Sequence, residues 1–115
     1  MLSFTVFLFA VAALGGLLLA IRHFQGKERP WALGIVHALL AATALILLLI
    51  PVLGGGLAAT TAIKWVVGLF VVAALGGVVL FINHLQRKRL PSAVVLIHGG
   101  VAVAAFLILV VTLYV

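Results

Sequence analysis

The chain contains no cysteine and, among its 115 residues, a single acid, Glu28. The first absence removes disulfides, iron–sulfur ligation and thioether attachment of a haem. The second removes most remaining catalytic chemistry. There is no carboxylate pair for general acid–base work, and no base beside a hydroxyl to make it a nucleophile. Hard divalent cations need oxygen ligands that the apolar stretches lack. Carboxylate-driven cation exchange, as in small four-helix multidrug transporters of similar length, has no acid to run on. Charge of either sign is scarce: 7% of residues are charged and 68% are hydrophobic. A soluble domain of this size buries only part of its surface and cannot hide so much apolar area.

What the sequence does have is four long apolar runs, predicting spans at about 1–22, 31–50, 64–84 and 92–114. Each reaches the roughly 18 residues that mark a membrane helix, and at about 1.5 Å per residue each can cross a hydrocarbon core of about 30 Å. Strand-type alternation is missing, so helices rather than a barrel are expected. The expected fold is therefore all-α: an integral membrane four-helix bundle in one domain, residues 1–115. The first run has no basic stretch before it and no small-residue cleavage site after it, so it reads as a helix and not a signal peptide. Arg22, Lys27 and Arg29 flank the first connection, and Arg87, Lys88 and Arg89 the third; only Lys64 lies on the other side. That bias predicts a bacterial-type inner membrane protein with both basic connections in the cytoplasm and both termini outside. Trp31, Trp65 and Tyr114 fall near the predicted ends, where amphipathic rings belong. The net charge of +6 then reflects topology and anionic head groups of the lipid bilayer, with no nucleic acid partner implied.

The chain also repeats itself. Shifted by 61 residues, 18 of the 40 positions from Phe9 to Leu48 are identical in the second half. The repeats cover about 1–50 and 62–115, and Gly54, Gly55 and Gly56 mark the seam. Each repeat is a helical hairpin entering the membrane in the same direction, so a pseudo-twofold axis along the membrane normal is expected. Matching positions fall on single faces: Ala12, Gly16, Leu19 and His23 correspond to Ala73, Gly77, Leu80 and His84, and His37, Ala41, Ala44 and Leu48 to His98, Ala102, Ala105 and Leu109. Steps of three and four residues share a helix face. Every helix thus carries one histidine in line with small residues, which permit close helix approach or leave room for a flat ligand.

His23 and His84 fall at helix ends near the basic connections. His37 and His98 lie seven residues past Pro30 and Pro91, about 10 Å deeper. A buried imidazole at that depth needs a partner, because an unsatisfied polar group costs several kcal/mol. It is either a ligand or a hydrogen-bond partner of a carbonyl, of Thr43 or of another helix. Neutral imidazole binds zinc, copper and iron. Haem b accounts for more of the pattern than a bare metal, which would bring uncompensated charge to a site without acids. His37 and His98 are the first choice of axial ligands and His23 and His84 the second. Gly16, Gly77, Ala12, Ala73, Ala41, Ala102, Ala44 and Ala105 would line the porphyrin, and Arg22, Lys27, Arg29, Arg87, Lys88 and Arg89 would meet its propionates. One haem or two are both open.

This arrangement resembles the membrane-embedded four-helix b-type cytochromes, including the cytochrome b561-like group and the haem subunits of respiratory enzymes, and it is similar to short four-span bacterial proteins built from such a hairpin repeat. The resemblance is architectural and rests on His23, His37, His84 and His98. In the cytochrome b561 group haem sites lie toward both membrane faces; here every histidine lies toward one. It implies an electron carrier exchanging with a quinone or a redox partner protein, not an enzyme with its own substrate. Two other readings stay open: a transporter of copper, zinc or protons through histidines, and a structural subunit whose histidines join helices. The diglycines at 15–16, 76–77 and 99–100 would serve self-association as a homodimer as readily as cofactor packing.

Overall fold

A computed structural model of the chain describes residues 2–115. It contains α1 (Leu2–Phe24), α2 (Trp31–Gly54), α3 (Thr61–Leu85) and α4 (Ser92–Tyr114), with no strand among the described residues. Met1, the first residue of the first expected span, lies outside them. All four helices are long and apolar enough to cross a membrane. The bundle is 42 Å long, more than the roughly 30 Å of a bilayer's hydrocarbon core. By length and composition this is a multi-pass membrane protein.

The two hairpin turns are built alike. After α1, Gly26 takes a left-handed φ of 68°, and bonds from Gly26 N to His23 O (3.1 Å) and Lys27 N to Arg22 O (3.0 Å) close the helix end. After α3 the same place, 61 residues on, is held by Arg87 at φ 56°, with Arg87 N to His84 O at 3.1 Å and Lys88 N to Asn83 O at 2.9 Å. Pro30 and Pro91, with φ of −58° and −66°, then cap α2 and α4.

The central connection is shorter than the expected spans at 31–50 and 64–84 leave it. Helix α2 runs through this proline to Gly54. A proline costs a helix one backbone bond and a clash one turn back, and here one further turn is closed by Gly55 at φ 82° and by Leu57 N to Pro51 O at 3.0 Å. Helix α3 starts at Thr61, earlier than expected, because the Thr60 side chain accepts the N–H of Ile63 at 3.3 Å.

Helix α1 packs chiefly on α2, and α3 on α4, with thinner α1–α4 and α2–α3 seams between the hairpins. Across one diagonal, Phe9 and Phe70 stack with ring centres 4.2 Å apart and planes 6° from parallel. The buried positions recur at the 61-residue shift: Thr5 with Val66, Phe9 with Phe70, Ala12 with Ala73, Ala44 with Ala105, Leu48 with Leu109. That pairing is what a pseudo-twofold axis along the bundle produces. The continuous apolar core joins Phe9, Ala44, Leu48, Ile63, Val66, Phe70, Ala105 and Leu109, all in the half remote from the basic turns. Outward-facing Phe7, Leu14, Leu39, Leu75 and Leu96 are exposed, as an apolar solvent requires.

Candidate functional site

His37 on α2 and His98 on α4 face each other across the other diagonal, at the edge of the apolar core nearer the basic turns. Each is tied within its own hairpin. His37 Nδ1–H donates to the Ala12 carbonyl at 2.7 Å, and His98 Nδ1–H to the Ala73 carbonyl at 2.6 Å. A carbonyl only accepts, so each ring carries a proton on Nδ1; in the neutral form Nε2 keeps its lone pair. Neither Nε2 has a hydrogen-bond partner among the described residues.

The diglycines make this arrangement possible. A Cβ at Gly16 would lie 2.8 Å from His37 Cε1, and one at Gly77 would lie 3.0 Å from His98 Cε1. The imidazoles therefore fill the space above these glycines, which was expected to receive a porphyrin. Ala44 and Ala105 are fully enclosed in the apolar core and offer no wall either, while Ala12 and Ala73 contribute their carbonyls. Ala41 and Ala102 remain half-buried, one helical turn from the histidines.

The two rings have centres 6.3 Å apart and planes at 88°. Imidazole ligands characteristically donate their other N–H to a carbonyl or carboxylate, which fixes tautomer and orientation. Both histidines do so. No group of three or more His, Cys, Asp or Glu side chains is assembled for a metal among the described residues; His37 and His98 form a pair.

His23 and His84 have a different place. They do not face one another but bridge the two seams: His23 Nε2 bonds Ser92 Oγ at 2.9 Å between α1 and α4, and His84 Nε2–H donates to the Trp31 carbonyl at 2.9 Å between α3 and α2. Both are buried. The Trp31 indole lies nearly parallel to the His84 ring, centres 6.3 Å apart, and the Arg87 guanidinium sits 5.6 Å over that indole. The repeat breaks here for a visible reason. His84 occupies the space where Gly34 would carry a Cβ; in the other copy the corresponding residue is Val95, and His23 instead reaches the hydroxyl of Ser92, which replaces Trp31. Gly34→Val is expected to expel His84 and destabilise the bundle by about 2 kcal/mol, as overpacking typically does. Adding Trp31→Ser, which rebuilds the His23 arrangement, should recover at least half of the loss in thermal unfolding in detergent.

The six cations Arg22, Lys27, Arg29, Arg87, Lys88 and Arg89, together with Glu28, His23 and His84, line a cavity of about 570 Å³ at the basic end. Arg22 Nη1 donates to the Glu28 carbonyl at 3.3 Å, and Arg29 Nη2 to the Lys88 carbonyl at 3.2 Å, linking the two turns.

Comparison with protein-family models, curated proteins and solved structures finds no match to this chain. Function therefore rests on the geometry above.

Proposed function

We propose that the protein is a membrane b-type cytochrome that holds one haem b through His37 and His98. The observation that carries this reading is the pair itself: two repeat-related imidazoles, each anchored through Nδ1 and unpartnered at Nε2 among the described residues, with ring centres 6.3 Å apart. One haem is preferred to two because His23 and His84 spend Nε2 on joining the hairpins.

The chain's own part is to bind, orient and insulate. Ala12 and Ala73 hold the ring tautomers, Gly16 and Gly77 admit the rings, and the Phe9–Phe70 stack closes the axis on the remote side. Bound haem would supply one-electron exchange, with His37 and His98 as the residues that would hold it. The cations of the basic end are available to two propionates. With that end in the cytoplasm of an inner membrane, as positive-inside bias favours, electrons would pass between the quinone pool and a partner on that side. A helix-joining role for the deep histidines has the same carbonyl bonds in its favour, and it predicts a colourless protein.

The test is the visible spectrum of protein purified from haem-sufficient cells, before and after dithionite. The expected result is about one haem per chain with sharpened reduced bands. A colourless preparation holding stoichiometric copper or zinc would point instead to metal handling.

A further inference from the structure

We infer that the basic cavity is a binding site for a second, phosphate-bearing anion with at least two negative charges. Six cations and one carboxylate give its wall a net charge of +5 with histidines neutral. The two propionates of the proposed haem would leave most of that surplus uncompensated, so the inference goes beyond the cytochrome reading and stands without it.

Three details make this a site and not merely a topology signal. The charges converge on one open cleft, because turns from both repeats meet where Arg29 Nη2 bonds the Lys88 carbonyl. The volume, about 570 Å³, lies within the roughly 300–1,000 Å³ of small-molecule pockets. And several of the donors are unspent. Arg29 Nε is buried with no acceptor, a costly state for a charged group that an incoming oxygen would relieve. Lys27, Lys88 and Arg89 line the cavity with side chains that have no hydrogen-bond or ion-pair partner among the described residues, and the Glu28 carboxylate neutralises none of them.

Guanidinium and ammonium groups in this density select phosphate oxygens, and basic pockets between membrane helices hold lipid phosphates. The same chemistry serves an anionic head group or a water-soluble phosphate compound.

The experiment separates these sources. Protein is reconstituted in phosphatidylcholine nanodiscs and titrated with inorganic pyrophosphate by calorimetry at low salt. In parallel it is reconstituted with added cardiolipin, and retained lipid is counted by native mass spectrometry. The comparison is the exposed-side-chain variant Lys27→Gln/Lys88→Gln/Arg89→Gln, with Lys64→Gln as a control for net charge at the other end. Neutralisation should weaken binding about fivefold per cation, about 100-fold for the three, while Lys64→Gln changes nothing. Pyrophosphate binding in neutral lipid identifies a soluble phosphate; selective cardiolipin retention identifies a head group. If wild type binds neither ligand more tightly than the triple variant, the inference is overturned. Haem content and anion binding are both measured on the wild-type protein, so either reading can fail while the other stands.

Discussion

Replacing His37 or His98 by alanine is expected to strip the chain of haem while leaving the bundle assembled. The stability cost is modest, since each histidine contributes one interhelical hydrogen bond, worth about 0.6–1.7 kcal/mol in a membrane. The cost to the cofactor is large. Losing a bond that merely supports a metal-bound imidazole lowers affinity by about 10- to 100-fold, and losing the imidazole itself should exceed that range. The check is haem per chain by pyridine haemochrome, alongside thermal unfolding. Free imidazole should restore part of the haem in His98→Ala, because truncation leaves a ring-sized space beside Gly77. If the histidines only joined helices, the same variants would lose a little thermal stability, and added imidazole would change no absorption band.

The second large effect is expected at a residue that never meets the iron. Gly16→Ala puts a methyl 2.8 Å from His37 Cε1, closer than side-chain carbons approach. The ring, held through Nδ1 to Ala12, can yield only by tilting out of line with His98. Overpacking of this kind costs about 1–3 kcal/mol, and haem retention should fall by at least tenfold. Gly77→Ala, at 3.0 Å from His98 Cε1, should show a smaller loss. Gly15→Ala supplies the control: its methyl would meet only ordinary contacts at 3.8–3.9 Å, so haem content should hold and the helix should gain up to about 1 kcal/mol from the better propensity of alanine. Competitive transfer to apomyoglobin orders the three. Equal haem retention across the series would mean that ring position does not govern binding.

Much of this arrangement was legible in the residues. Four helices follow from runs too long and too apolar for anything else, and the 61-residue identity puts Phe9 with Phe70 and His37 with His98 before any coordinates exist. Placing one histidine of each repeat deep, beside small residues, follows from the helical period and the prolines. Other features depend on side-chain reach, which periodicity does not carry. Gly16 and Gly77 read equally as helix contacts, porphyrin walls or, as the structure has them, seats for imidazole. Whether His23 pairs with His84 or bonds across a seam is decided by one hydroxyl and one carbonyl. A signal for the latter was present in the departures from the repeat: Trp31 against Ser92 and Gly34 against Val95 fall three residues apart, on one face, beside a histidine. The second helix runs past the expected end at 50 to Gly54, where Gly55 at φ 82° closes it.

The central claim is that His37 and His98 grip one iron between them. Electron paramagnetic resonance of the oxidised, purified protein addresses it most directly. The account predicts a low-spin ferric signal that disappears together with the haem when either histidine becomes alanine. A haem-free protein, or a low-spin signal that survives the loss of both His37 and His98, would contradict it.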